Sequence, residues 1–155
     1  MVNVAYFDTS ALLKQYVTET GSSWVRTYLS SATAPAVFTS QLTAVEATCA
    51  FARRLRDGIL LPADHATAVR AFDYDIAHRF TLLDIVPVTI DAARRLANLH
   101  PLRAYDTVQL ATAWSLDRDL VSNGEAPLTF ICADDRLLGV AQAEGLRTDN
   151  PNHYP

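Results

Sequence analysis

The sequence contains a single lysine, Lys14, within a basic total of 13; every other basic residue is an arginine. Glycine and proline are sparse, at 5 and 7 in 155 residues. That excludes collagen-like and linker-like chains. Only 2 cysteines are present, Cys49 and Cys132, far apart and with no CxxC pair. No disulfide framework is expected, and both read as buried free thiols suited to a reducing compartment. The four histidines, His65, His78, His100 and His153, lack the spacing of a zinc site. There is no glycine-rich phosphate loop. No run approaches the ~18 apolar residues that a membrane span requires. The N-terminus has no basic start and meets an acid at Asp8, which argues against a signal peptide. A cytoplasmic location is therefore expected, with no membrane partner. The net charge of −4 and pI of about 5.4 lack the strongly basic footprint of many nucleic-acid binders. Arginine is nevertheless the better residue for forked contacts to phosphate.

What is present points to one folded domain over residues 1–155, since 50% of the residues are hydrophobic. The run from Val2 to Phe7 reads as a strand buried on both faces and ending at Asp8. Helices are expected over Ser10–Val17 and Ser22–Ser30, then a strand at Ala36–Thr39. Leu42, Val45, Cys49, Ala52 and Leu55 recur at three- and four-residue steps, which predicts a helix to Arg56 with Gly58 as its stop. A second long helix is expected from Ala63 to Phe80, with Pro62 in its first turn. The pattern then predicts a strand at Leu82–Val88 and a helix at Asp91–Leu99. A helix at Asp106–Leu116, a strand at Leu128–Cys132 and a helix at Leu137–Glu144 complete the reading. Strands separated by helices imply a mostly parallel sheet with right-handed crossovers. The expected fold is a three-layer α/β/α sandwich.

Ligands of open parallel sheets bind beyond the carboxyl ends of the strands. Asp8 ends the first strand and Asp134 follows the Phe130-Ile131-Cys132 run. Glu46 lies early in the helix after the second strand, and Asp106 opens a helix entered from a loop. Each has a plain alternative as a helix cap. Asp106 with Gln109, and Thr43 with Glu46, fit capping boxes, while Asp8 and Asp134 fit N-caps. Glu46 borders the apolar stripe of its helix and is expected to face a cleft. Together the four acids mean more than each alone. Carboxylates ~5 Å apart repel by roughly 3 kcal/mol at an effective dielectric near 20. A site that gathers them needs a cation or a proton. An oxygen-only donor set favours Mg²⁺ or Mn²⁺.

Four blocks then resemble one family. Phe7-Asp8-Thr9-Ser10-Ala11-Leu12-Leu13-Lys14, with Tyr16-Val17-x-Glu19-x-Gly21-Ser22, resembles the opening of PIN-domain ribonucleases, and among them the VapC-type toxins of toxin–antitoxin pairs. Thr43-Ala44-Val45-Glu46, Tyr105-Asp106-Thr107-Val108-Gln109-Leu110-Ala111-Thr112-Ala113 and Ala133-Asp134-Asp135-Arg136-Leu137-Leu138 follow in the family's order, with Ala143-Glu144-Gly145-Leu146 after them. The resemblance covers nearly the whole chain. It implies a metal-dependent endoribonuclease in which Asp8, Glu46, Asp106 and Asp134 hold Mg²⁺ or Mn²⁺. Asp135 is a neighbouring candidate for the fourth acid. Ser10 is expected either to hold Asp8 or a phosphate or to cap its helix. Lys14, four residues on, is proposed as a phosphate contact, and Arg53, Arg54, Arg56, Arg94, Arg95 and Arg103 are further candidates. The resemblance also implies a homodimer and a VapB-type antitoxin lying in a hydrophobic groove. A receiver domain needs a late lysine, and a haloacid-dehalogenase-type phosphatase needs Asp-x-Asp where Ser10 stands. The remaining alternative is a catalytically idle module that keeps the fold and binds RNA or antitoxin.

Overall fold

The computed structural model describes residues 3–154. Its elements are β1 (Val4–Phe7), α1 (Thr9–Leu12), α2 (Ser22–Ser30), β2 (Ala36–Ser40), α3 (Gln41–Arg56), α4 (Pro62–His78), β3 (Thr81–Leu83), α5 (Pro87–Leu99), α6 (Ala104–Ser122), β4 (Thr129–Ile131), α7 (Asp135–Ala143) and β5 (Arg147–Asp149). Short 3₁₀ turns at Leu13–Gln15 and Pro151–His153 follow α1 and β5. Val2, assigned to the first strand from sequence, lies outside the described residues.

All four strand pairings are parallel, in the order β3-β2-β1-β4-β5. Side chains alternate across the sheet, as the pleat requires. Ala5 and Phe7 of β1 face a core built with Leu12, Val25, Phe51 and Phe72, which come from the helices preceding β3. Tyr6 faces the opposite core with Leu96, Leu110, Phe130 and Leu137, supplied by β4 and the helices after β3. Both faces of β1 are thus covered, which is why its run is apolar without alternation. The three-layer α/β/α architecture expected from the sequence is present. The chain winds outward from β1 to β3 under one helical layer, then returns under the other to β4 beside β1. β1 and β4 therefore flank the point where the winding reverses, and a crevice opens there beyond the strand ends.

Several boundaries differ from the sequence reading. The expected strand at Leu82–Val88 is only Thr81–Leu83, because Pro87 starts α5 as a first-turn residue. The first helix stops at Leu12 and tightens into a 3₁₀ turn instead of reaching Val17. β5 is a polar three-residue strand at the sheet edge, with no apolar run to announce it. On α3 the buried stripe is Thr43, Ala47, Ala50 and Phe51. Val45 is 61% exposed and Cys49 is exposed too, so the expected Leu42-Val45-Cys49 face is not the core face, and Cys49 is not a buried thiol. Ala47 and Ala50 are buried small residues on that face.

Gly21 fixes the C-terminal segment against the start of α2. Its φ of +83° is left-handed, and a Cβ added there would collide with the Pro151 carbonyl group. Gly21→Ala combines left-handed strain of roughly 1–2 kcal/mol with a collision against backbone. We expect a loss of more than about 2 kcal/mol, measured by chemical denaturation. A change within about 0.5 kcal/mol would contradict this packing.

Candidate active site

At the mouth of the crevice, Asp8, Glu46, Asp106 and Asp134 line one cleft of about 260 Å³ together with Ser10, Arg53 and Arg103. Larger clefts of about 500 and 750 Å³ lie elsewhere. Neither collects these acids, so chemistry rather than size singles out the small one.

Each acid arrives by a different local route. Asp8 follows β1 and caps α1. Its Oδ2 accepts from the Ser10 N–H at 3.0 Å and from the Ser10 hydroxyl at 2.6 Å. The Asp8 N–H donates to the Ile131 carbonyl at 2.9 Å, and the Ala133 N–H donates to Ser10 Oγ at 3.0 Å. Ser10 thereby ties the end of β1 to the end of β4. Asp134 caps α7, with Oδ1 accepting from the N–H groups of Arg136 (2.9 Å) and Leu137 (3.3 Å). Asp106 is not an N-cap, because Arg103 takes that place and Asp106 sits in the first turn. Its Oδ2 accepts from Arg103 Nε at 3.0 Å. Glu46 is not in the first turn of α3 either, since Ser40 caps that helix. Glu46 is half-buried, and its Oε1 accepts from Gln109 Nε2 at 2.8 Å. Neither capping box therefore forms.

Among the described residues, these hydrogen bonds fall on one oxygen of each acid. Asp8 Oδ1, Glu46 Oε2 and Asp106 Oδ1 accept none, while Asp134 Oδ2 has only a 3.9 Å approach from Arg136. Among the described residues, no three His, Cys, Asp or Glu side chains stand close enough together to hold a metal ion as they are placed. The acids line a common wall, and Arg103 acts as counter-ion to Asp106. The donor set is oxygen only, with a spare oxygen on each of three acids, and that fits a hard divalent cation.

Electrostatics agree with the geometry. Burial pushes the Asp8 carboxyl above its ordinary value, against the pull of the Ser10 hydrogen bonds, and the charge of Asp106 adds to the upward push. Burial also raises Glu46. Gln109 holds it down, while Asp8 and Asp106 push it up. The acids thus feel one another across the cleft. Cys132, beneath them, has its Sγ 3.6 Å from Asp8 Oδ2, and burial raises its thiol so that it stays protonated.

Other sequence candidates lie elsewhere. Lys14 is not an exposed phosphate contact: it is 4% exposed, and its Nζ donates to Glu19 Oε1 at 3.1 Å and to the Thr20 carbonyl at 2.8 Å. A helix that ends at Leu12 no longer carries position 14 alongside Ser10. Arg54 joins the same pair through Glu19. Asp135 turns away from the acids, accepting from Asn150 at 2.6 Å with His153 at 3.3 Å. Arg95 pairs with Glu144, and exposed Arg94 stands 3.9 Å from Asp91. Arg53 and Arg103 remain at the acidic cleft. Sequence reasoning missed the buried partners Tyr6, Thr9 and Thr39, and treated Thr43 and Gln109 only as capping residues. Gln109 carried one signal: it is a lone amide in the apolar run around Leu110-Ala111.

The raised acids give a sign for pH. A carboxyl whose folded pKa is raised contributes stability that is present below its ordinary value and lost as pH rises through the folded value. In EDTA, Asp8→Asn should therefore gain on wild type in melting temperature as pH rises from about 4 to 7. A gap that closes or reverses over that range would contradict the burial argument.

Comparison with known proteins gives a consistent result. A family description, "PIN domain", matches residues 5–129. The chain is 32% identical over 144 residues to ribonuclease VapC45 of Mycobacterium tuberculosis (strain CDC 1551 / Oshkosh), spanning 93% of each. It has the same identity and coverage with ribonuclease VapC49 of Mycobacterium tuberculosis (strain ATCC 25618 / H37Rv). With its parallel sheet, its switch-point crevice and this match over most of its length, the chain belongs to the PIN domain family.

Proposed function

We propose that the chain is a metal-dependent endoribonuclease, the toxin of a toxin–antitoxin pair. The observation that carries the reading is the convergence of Asp8, Glu46, Asp106 and Asp134 on one cleft at the switch point, each with an oxygen left uncommitted or nearly so. Two relatives over 93% of the chain carry the name ribonuclease. In this reading Asp8 and Asp106, with Glu46 and Asp134, hold Mg²⁺ or Mn²⁺. A bound ion would supply an activated water and an offset to the negative charge on the scissile phosphate and leaving oxygen. Ser10 holds Asp8 in one orientation and fixes the gap between the two central strands. Arg53 and Arg103 at the rim offer cationic contacts to the RNA backbone. In this reading water, rather than a side chain or the ribose 2′-hydroxyl, would form the new P–O bond while the P–O3′ bond breaks and the 3′-oxygen leaves with a proton, giving a 5′-phosphate and a 3′-hydroxyl.

Two protein contacts accompany the reading. A cleft of about 750 Å³ between residues 15–18 and α4 is bordered by Ile59 and Tyr74, 66% and 59% exposed. Such a groove suits a segment of a VapB-type antitoxin. The uncovered Val45 and Cys49 of α3, with exposed Val88 on α5, supply apolar surface for a homodimer. Action on RNA in the cytoplasm belongs to the same reading. Among the described residues no helix is long and apolar enough to cross a membrane.

Cleavage of a mixed RNA pool in Mn²⁺ should fall on the order of 100-fold or more in Asp8→Asn and Glu46→Gln. Products should carry 5′-phosphates. RNA bound but uncleaved by wild type, or a 2′,3′-cyclic phosphate end, would contradict the reading. Arg53→Ala and Arg103→Ala should each flatten the salt dependence of RNA binding by about one unit of log–log slope. Unchanged slopes would remove both from the RNA path.

A further inference from the structure

Gln109 is fully buried, yet its side chain is an amide. A buried amide is costly unless every polar edge is bonded. Here the edges are bonded, and the bonds lead to the acids. Gln109 Oε1 accepts from the Tyr6 hydroxyl at 2.6 Å. Its Nε2 lies 2.8 Å from Glu46 Oε1, 2.9 Å from Thr43 Oγ1 and 3.1 Å from Thr9 Oγ1.

The direction of these bonds follows from elimination. An ionised carboxylate only accepts, so the NH₂ edge of Gln109 must face Glu46. Its carbonyl then faces Tyr6, whose hydroxyl must donate. On the other side, the Thr39 hydroxyl donates to the Phe7 carbonyl at 2.8 Å. At the 2.6 Å contact with Thr39, Thr43 is therefore the donor. That leaves Thr43 lone pairs for Gln109. The Thr9 hydroxyl donates to Thr43 Oγ1 at 3.2 Å, and the amide has one orientation that satisfies both of its edges.

The connectivity is as informative as the polarity. Gln109 rides on α6 one turn after Asp106. It reaches Tyr6 on β1, Thr9 beside Asp8, and Thr43 with Glu46 on α3. One side chain therefore links the three segments that carry Asp8, Glu46 and Asp106. We propose that Gln109 is a positioning residue for the acidic centre: it holds Glu46 by Oε1, keeps Oε2 as the oxygen free for a cation, and fixes α3 against α6 and β1. Tyr6 sets the orientation of the amide. The inference rests on the metal-dependent reading above.

The test uses the full chain, with Mn²⁺ binding read by electron paramagnetic resonance and RNA cleavage read separately. Gln109→Leu keeps the volume and removes the amide. Tyr6→Phe keeps the amide and removes the hydroxyl that orients it. Gln109→Leu should weaken Mn²⁺ affinity about 10–100-fold and lower kcat, with KM for RNA unchanged. Tyr6→Phe should weaken Mn²⁺ affinity roughly three- to tenfold. A purely structural role would lower the melting temperature and leave the Mn²⁺ affinity of the folded protein alone. Wild-type Mn²⁺ affinity in folded Gln109→Leu overturns the proposal. If that variant does not fold, wild-type affinity in Tyr6→Phe overturns it. Wild-type protein that binds no Mn²⁺ overturns the metal-dependent reading and this one with it, whereas binding by wild type and variants alike overturns only the role of Gln109.

Discussion

Negative side chains brought together at the end of a parallel sheet repel one another, and burial deepens the cost of each charge. The rest of the structure has to hold Asp8, Glu46, Asp106 and Asp134 in place against that repulsion. Part of the support comes from helix starts. Asp8 and Asp134 accept backbone N–H bonds at the beginnings of α1 and α7, and Asp106 lies in the first turn of α6. The unpaired N–H groups and positive end of a helix favour a carboxylate there. For Asp8 and Asp134, capping and lining the cleft are one arrangement rather than rival explanations: one oxygen serves the helix and the other is left over.

The second part of the support lies beneath the cleft. A layer of neutral polar side chains, from Tyr6 through Gln109 to Thr9, Thr43 and Thr39, replaces the hydrocarbon that would otherwise fill the space under Glu46. Neutral donors lower the cost of a buried carboxylate without adding a permanent counter-charge. The cations sit differently. Arg103 pairs with Asp106 at the exposed rim, where an ion pair contributes little and is readily exchanged. Lys14, the only lysine, is committed to the Glu19–Thr20 turn. Among the described residues, the cations that line the acidic cleft, Arg53 and Arg103, are exposed, and the side chains bonded beneath Glu46 are neutral, which leaves the spare carboxylate oxygens available to a mobile cation.

The layout of the fold could be read from the alternation of strands and helices, and Asp8 and Asp134 from their positions just past strand ends; Glu46 and Asp106 lie on helices, and it was the family resemblance that grouped them with the other two. Local detail was less legible. The stripe of α3 was misplaced because Val45 and Cys49 are apolar but face outward, while the face that packs is made of Thr43 and small alanines. The fate of Lys14 depends on a helix ending early at Leu12, which no residue pattern announces. Gln109 looked like half of a capping box because its spacing from Asp106 fits one; its true partners are distant in sequence and only the folded chain brings them near. Arg147–Asp149 pairs as a strand through edge hydrogen bonds alone, with no hydrophobic periodicity to mark it.

The most direct measurement is anomalous diffraction from crystals soaked in Mn²⁺. The account requires one or two strong anomalous peaks in the cleft, within coordination distance of Asp8 and Asp106 oxygens, with Arg103 displaced from Asp106. Crystals that show no peak there, or a peak bound only by surface acids remote from Asp8, would contradict it.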